Sequence, residues 1–364
     1  MYLKTLNITN FRNYNSEKLV FNKHANIFIG NNAQGKTSIL EAIYVLAFTK
    51  SHRVFKDVSF IKIDAEYAKI NSLINLNEKD IELDIVVSKL GKKAKYNQIE
   101  LEKLSEYLGL LNVVIFAPED LDLVKGNPKT RRKFMNLEIG QISKEYIYDL
   151  QNYRKVLKQR NDLLKSMQKK ATKDLMLLDV ITDQLVDYQT DIMLKRRVFI
   201  NKIEEFSQKH YKTLSSSEDL LNLEYIPSIE KNIKEEYIAK YQYDIITGTT
   251  NIGVHRDEIE FYINKHQLKT HGSQGEQRTA VLAIKLALID FIYLHKKEYP
   301  ILLLDDVLSE LDKVRQNNLL EYISKDIQTF ITTTDLSEID LKKIDNYQLF
   351  HIKNGTIKES DTDG

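Results

Sequence analysis

Gly30-Asn31-Asn32-Ala33-Gln34-Gly35-Lys36-Thr37 follows the apolar run Asn26–Ile29 without a break. It leads straight into Thr37–Phe48, where Ile39, Ala42, Ile43 and Leu46 recur at helix spacing. A strand that empties through a glycine-bearing loop into a helix N-terminus belongs to an α/β layer. The spacing G-x-x-x-x-G-K-[S/T] is what a phosphate cradle requires. Gly30 and Gly35 permit backbone angles and a close approach that a Cβ would forbid. The N–H groups of Asn31, Asn32, Ala33, Gln34 and Ser38, with the positive helix end, are expected to converge on phosphate oxygens. Lys36 is expected on the β- and γ-phosphates, with the Thr37 hydroxyl on Mg²⁺. A turn with a chance lysine accounts for the glycines but not for the strand–loop–helix order.

Such a cradle needs a distal carboxylate for its magnesium. Ile301-Leu302-Leu303-Leu304-Asp305-Asp306 supplies one, a buried strand ending in two acids. Asp305 is the expected outer Mg²⁺ ligand and Asp306 the group that orients or deprotonates water. Neighbours on an extended backbone point to opposite sides, which assigns the two acids different jobs. Capping of a following helix is the other reading of acids at this place.

The 364 residues suggest two domains, or one carrying an insertion. Short strand-like runs fill the chain to about Phe116: Lys18–Phe21, Asn26–Ile29, Ala68–Asn75, Asp80–Val87 and Tyr96–Leu101. From about Gly126 to Tyr243 long Lys/Glu/Gln/Leu-rich segments take over, with an antiparallel helix pair turning near Lys169–Lys173. Leu157, Leu164, Leu175, Leu178, Leu185 and Ile192 mark its apolar positions, but the heptads are not clean. Strands return after Thr249. The expected architecture is therefore an α/β P-loop domain of mixed sheets with flanking helices, built from residues 1–125 and 244–364. A helical lobe at 126–243 interrupts it in sequence.

Cysteine is absent, which excludes disulfides, thiolate zinc sites and cysteine nucleophiles. The start MYLKTLN lacks the pattern of a signal peptide. The longest apolar stretch, Thr279–Leu294, is broken by Lys285 and Asp290, which argues against a spanning helix.

Ser273-Gln274-Gly275-Glu276 opens a helix expected to run to about His295. Serine and glycine at a helix N-terminus make an anion-binding corner. One cradle already serves the chain's own nucleotide, so this corner suits the γ-phosphate of a nucleotide held by a second copy. Ser309-Glu310-Leu311-Asp312 and the strand Gln328–Thr332 complete the order of an ABC-type head, which works as a head-to-tail dimer around two ATP molecules.

Longer strings narrow the class. Leu6-Asn7-Ile8-Thr9-Asn10-Phe11-Arg12-Asn13-Tyr14, Ser51-His52-Arg53, Phe116-Ala117-Pro118-Glu119-Asp120-Leu121, Lys129-Thr130-Arg131-Arg132, His255-Arg256-Asp257, the Ser273–Lys285 stretch and LLLDDVLSELD resemble the RecF family of SMC-like ATPases. The resemblance extends from residue 3 to about 335. It implies a cytoplasmic, ATP-dependent DNA-binding protein of recombinational repair and replication restart, linked to the SOS response. It further implies a homodimer that forms on ATP, clamps DNA at single-strand gaps and junctions, and works with RecR, and through it RecO, to load recombinase. ATP hydrolysis, weak and DNA-dependent, would act as a switch. By the same resemblance Arg12 and Asn13 lie near the nucleotide, and Ser273 and Gly275 face the partner's γ-phosphate. Ala117 stands where many ABC heads carry a glutamine, and threonines follow Ile331 in place of a switch histidine.

Between Lys125 and Lys173 there are 14 Lys/Arg against 4 Asp/Glu, in a chain of formal charge +1. Such a segment suits contact with a nucleic-acid backbone, with Lys129, Arg131 and Arg132 as candidates. A solvated lysine-rich helix face has the same composition. Tyr146, Tyr148 and Tyr153 fit core positions better than base stacking. Two other functions share a P-loop and an acidic strand end. A transporter's nucleotide-binding subunit calls for the missing glutamine and switch histidine. A nuclease of the overcoming-lysogenization type calls for a C-terminal acidic metal domain, and only about 30 residues follow Asp335.

Overall fold

The computed structural model describes residues 1–360 other than 55, 173, 324–325, 345 and 354. β1 (Tyr2–Phe11), β2 (Tyr14–Val20) and β3 (Ala25–Ile29) precede α1 (Lys36–Phe48). β4 (Tyr67–Leu76), β5 (Lys79–Ser88), β6 (Gly91–Tyr96), β7 (Ile99–Glu100), the short α2 (Leu104–Tyr107) and β8 (Val113–Phe116) follow. The middle of the chain holds α3 (Asp122–Lys125), α4 (Pro128–Ile142), α5 (Lys144–Gln168), α6 (Leu175–Ser215), β9 (Leu221–Ile226), α7 (Ile233–Ala239), α8 (Tyr241–Thr247), β10 (Glu258–Ile263), β11 (His266–Gln267) and α9 (Leu268–His271). Then come α10 (Gln274–Lys296), β12 (Ile301–Asp305), α11 (Lys313–Ile323), β13 (Thr329–Thr333), β14 (Tyr347–Lys353) and β15 (Thr356–Ser360).

The elements divide into two units. The first comprises Met1–Asp120, Lys209–Glu218 and Thr279–Gly364. One of its sheets has the order β2-β1-β4-β5-β6-β7 and the other β15-β14-β3-β13-β12-β8. In the second sheet β14, β3, β13, β12 and β8 run parallel. Parallel strands covered on both faces read as continuous apolar runs, as in Val113–Phe116 and Ile301–Leu304, all buried. Phe21, Phe28, Phe330 and Phe350 pack ring against ring beside β3, with centroids 4.8–6.4 Å apart. Helix α1 contacts strands of both sheets. Every residue of it except Thr37 is buried. The apolar stripe expected on one face is thus a helix buried all round.

The second unit comprises Leu121–Gln208 and Asp219–Arg278. These bounds differ from the expected 126–243. Residues 244–278 fall in this unit, 209–218 fall in the first, and the lobe is not purely helical, since β9, β10 and β11 form an antiparallel sheet. The helix pair is α5 and α6, and it turns where expected; Lys173 lies outside the described residues. One buried line along α6 runs Leu178, Thr182, Leu185, Gln189, Ile192, Arg196, Phe199 and Ile203, alternately four and three apart. Three of the eight are polar, and each has partners. Thr182 accepts from Arg160 Nε at 3.1 Å, and Arg160 Nη1 also donates to Asp244 at 2.8 Å. Gln189 accepts from the Tyr237 hydroxyl at 2.6 Å. Arg196 donates to Asp257 and to the Val254 carbonyl, both at 2.7 Å, and to the Tyr146 hydroxyl at 3.0 Å.

Removing one member of a buried ion pair strands the other charge, at about 3–5 kcal/mol. Asp257→Ala should therefore lower unfolding free energy by roughly that amount in denaturant titration. Asp257→Asn, which keeps the shape and an acceptor, should lower it less.

Candidate nucleotide-binding site

The loop between β3 and α1 is gripped along its length. Tyr14 Oη donates to the Gly35 carbonyl at 3.1 Å, and Asn13 Nδ2 and the Gly355 N–H both donate to the Gln34 carbonyl at 3.2 Å. Gly35 stands at φ 117°, and a Cβ there would lie 2.6 Å from the Tyr14 hydroxyl; one on Gly30 would press into the Ile352 carbonyl. Both glycines are therefore required by packing as well as by the cradle. Helix α1 begins with no side-chain cap and no acidic residue in its first turn. No capping side chain and no first-turn acid thus competes with an anion at its N-terminus. Lys36 Nζ folds back over the loop, donating to the carbonyls of Gly30 and Asn31.

The parallel register sets Asp305 of β12 opposite Thr332 of β13, and Thr333 opposite Ile29 of β3. Asp305 Oδ1 accepts from the Thr37 hydroxyl at 2.8 Å and from the Thr332 hydroxyl at 2.9 Å. Its side chain is buried, and that burial pushes its carboxyl above the usual range despite the two hydroxyl donors. A buried carboxylate with hard oxygen neighbours fits a divalent cation of the magnesium kind. Among the described residues no cluster of three or more His, Cys, Asp or Glu forms. Such a cation would therefore rest on Thr37, Asp305 and the ligand's own oxygens.

Asp306 departs from the alternation expected of a strand. It sits at φ 56°, its N–H donating to the Thr332 hydroxyl at 2.9 Å. This left-handed turn brings Asp306 and Asp305 to the wall of one cavity.

That cavity has a volume of about 660 Å³, within the range of small-molecule sites. Its lining brings together the expected Arg12, Asn13, Asn31, Asn32, Ala33, Gly35, Lys36, Thr37, Ser38, Asp305 and Asp306. Gly30 and Gln34 support the wall through their carbonyls. Arg12 is held in place, with Nε and Nη2 on Glu41 at 2.8 and 2.6 Å and Nη1 on the Ser59 carbonyl at 2.8 Å. Burial works to raise the Glu41 carboxyl, but the bonds from Arg12 and Ser51 outweigh it and hold the group low. Sequence reading missed Arg53, Ser59, Ile61, Lys62, Ile63 and Thr332 in the wall. Arg53 lies in the string Ser51-His52-Arg53 and Thr332 ends the strand Gln328–Thr332, but the sequence gives neither side chain a role.

Ser273, Gln274, Gly275 and Glu276 do not line this cavity. Ser273 and Glu276 cap α10 reciprocally, Ser273 N–H to Glu276 Oε2 at 2.7 Å and Glu276 N–H to Ser273 Oγ at 3.2 Å. Gly275 is exposed, and a Cβ there would meet nothing within 4 Å. Packing within the chain does not require a glycine at that place.

The basic candidates need correction. Arg131 is buried, and Nε and Nη2 pair with Glu258 at 2.6 and 2.8 Å. Its Nη1 donates to the carbonyls of Leu123, Val124 and Gly126. Arg131 therefore holds the end of α3 and is not placed to meet a nucleic-acid backbone. Arg132 Nη1 donates to the Asp257 carbonyl at 2.8 Å. Lys129 is exposed. Tyr146 and Tyr153 are buried, whereas Tyr148 is 61% exposed.

A mixed-sheet P-loop domain with a buried carboxylate at the end of β12 is an ABC-type ATPase head of the SMC class. The family RecF/RecN/SMC N terminal domain matches residues 2–358, and the chain belongs to it. Within it the chain is a member of the RecF family. It is 46% identical to the DNA replication and repair protein RecF of Shouchella clausii (strain KSM-K16), over 98% of this chain and 99% of that one. The solved structure of the recombination mediator protein RecF-ATP in the RecFOR pathway is 32% identical, with TM-score 0.91, covering 99% of this chain and 97% of that chain. An Smc head domain from Pyrococcus furiosus shares the fold at 17% identity, with TM-score 0.58 and coverage of 99% and 96%. No described helix is long and apolar enough to cross a membrane.

The raised carboxyl of Asp305 gives a signed expectation. A folded-state value above the unfolded one contributes stability only in acid, and that contribution is lost as pH rises through the folded value. At neutral pH without metal the ionised Asp305 thus works against the fold. Asp305→Asn should raise the melting temperature in EDTA and weaken Mg²⁺-dependent nucleotide binding. A lower melting temperature in EDTA would contradict the assignment.

Proposed function

We propose that this chain is an ATP-dependent DNA-binding protein of recombinational repair and replication, acting in the cytoplasm. Two copies close around two ATP–Mg²⁺ and so clamp DNA at gaps and junctions. The observation that carries the reading is the Thr37–Asp305 hydrogen bond, which joins cradle and acidic strand across β13. The relatives' names, a DNA replication and repair protein and a recombination mediator, agree with it. Partners of the RecR and RecO kind follow from that pathway. The transporter and nuclease readings have no comparable support.

The residues take these roles. The loop N–H groups of Asn31–Gly35 and Lys36 would hold the phosphates, and Thr37 and Asp305 would hold Mg²⁺, which supplies charge neutralisation on the phosphoryl oxygens. Asp306, on its left-handed turn, would accept the proton of the attacking water at a carboxylate oxygen. Asp306→Asn should keep ATP binding and pairing but slow turnover at least tenfold; wild-type turnover would make Asp306 structural. The exposed Ser273–Gly275 corner, with a glycine that the chain's own packing does not need, would meet the γ-phosphate held by the other copy.

A mixing experiment tests the trans assignment. Ser273→Arg should bind ATP as a monomer with near-normal affinity but fail to pair. Lys36→Ala should lose ten- to more than a hundredfold in ATP affinity, since charge-assisted contacts are worth about 1.5–3 kcal/mol each. In a mixed dimer one composite site carries both lesions and the other neither. ATP-dependent pairing should therefore return on mixing. No pairing in the mixture, with both proteins folded, would count against Ser273 acting in trans.

A further inference from the structure

The second unit carries an apolar surface that its own packing leaves uncovered. Helix α6 opens with Leu175-Met176-Leu177-Leu178, and Asp174 caps it, its Oδ1 accepting the Leu177 N–H at 2.8 Å. Only Leu178 of the four turns inward, into a buried cluster with Leu164 and Met167 of α5, against which Tyr241 and Ile245 of α8 pack. Gln168 Nε2 donates to the Ile246 carbonyl at 2.6 Å, and the Tyr241 hydroxyl to Asp179 Oδ1 at 3.1 Å. These contacts, with the fully buried ion pair of Arg160 and Asp244, fix α8 against the end of the α5–α6 pair.

Six apolar side chains of these two helices stay outside: Leu175, Met176, Leu177 and Val180 on α6, and Tyr243 and Ile246 on α8. Met176 is 80% exposed and Ile246 71%. One such residue is ordinary on a surface. Six of them, on helices locked to one another, mark an interaction surface. The free charge beside it is positive. Lys165, Lys169 and Lys170, at the end of α5 and just past it, are exposed and enter no ion pair among the described residues. Three nearby acids are engaged: Asp174 in the cap of α6, Asp179 by the Tyr241 hydroxyl, and Asp183 by Lys234 at 2.6 Å. Asp162 is the exposed acid on that stretch of α5.

We infer that this surface docks a short amphipathic, acidic segment of a partner protein, with apolar side chains over Met176 and Ile246 and carboxylates against Lys165, Lys169 and Lys170. An apolar face bordered by unpaired cations is complementary to such a segment in both respects. A nucleic-acid backbone would satisfy the lysines but leave the six apolar side chains uncovered. A flat anionic bilayer fits less well, because the face of α6 that carries Met176 and Val180 continues into the exposed acids Asp187 and Asp191. The inference is independent of the nucleotide site.

Fluorescence anisotropy with the full chain tests this. The probe is a labelled helical peptide with leucines at i, i+4 and i+7 and glutamates beside them. A second peptide has lysine for each glutamate, and phosphatidylglycerol vesicles and duplex DNA complete the set. The glutamate peptide should bind at about 100 μM or tighter, and the lysine peptide about tenfold more weakly. Met176→Asp and Ile246→Asp should each weaken the glutamate peptide about tenfold. An acid in the first turn suits the positive end of α6, so Met176→Asp should keep the fold. Leu194→Asp, at an exposed apolar position further along α6, should bind as the wild type does. Lys169→Glu combined with Lys170→Glu should reverse the order of the two peptides. The proposal is overturned if the glutamate peptide fails to bind at about 1 mM, if the two peptides bind alike, or if Leu194→Asp weakens binding as much as Met176→Asp. It is equally overturned if Met176→Asp and Ile246→Asp lose vesicles or DNA while peptide binding stands.

Discussion

Strand β13 lies between β3 and β12, and the site depends on that parallel pairing. It brings the end of the cradle strand and the end of the acidic strand to one edge, although Thr37 and Asp305 are 268 positions apart. Ligand sites in open parallel sheets gather outside the carboxyl ends of strands, and here a threonine from β13 completes the contact. Thr332 donates its hydroxyl to Asp305 and accepts the N–H of Asp306. One side chain thus sets both acids. The left-handed turn at Asp306 is a local departure from strand geometry of the kind found at functional sites.

The second unit is organised by a different device. Its long helix α6 buries Thr182, Gln189 and Arg196 between apolar residues, and each finds partners from other parts of that unit. Satisfied networks of this type specify one register, because a shift along the helix would leave buried polar groups unpaired. Arg131 belongs to the same logic. Its guanidinium is spent on Glu258 and the carbonyls that end α3, which is why Arg131 does not add to a basic surface.

The fold was legible where local pattern and tertiary role coincide. The strand–loop–helix around Gly30–Thr37 and the run into Asp305 were visible because burial on both faces makes uninterrupted apolar strings. The stripe of α6 was half visible: Leu178, Leu185 and Ile192 repeat every seven residues, but the alternate positions are polar and broke the heptad. Strand β9 was hidden inside the stretch read as helical, with the exposed acid Glu224 in its middle. The acids of β12 were both found, yet the alternation rule separated them, since nothing local announces the turn at Asp306. Ile61 and Ile63 escaped because their place in the wall is set by a bridge to Phe11, fifty residues away. The Ser273 corner was found as a motif, and its capping bond to Glu276 was in the same string.

The central claim is that one chain holds a complete cradle and metal site, while closure over the γ-phosphate requires a second copy. Light scattering of the purified chain at fixed concentration, with Mg²⁺ and either ATP or ADP, addresses that claim directly. The mass of a single chain with ADP and of two chains with ATP is the expected result. A single-chain mass under saturating ATP and Mg²⁺, with binding of the nucleotide confirmed in the same sample, would contradict it.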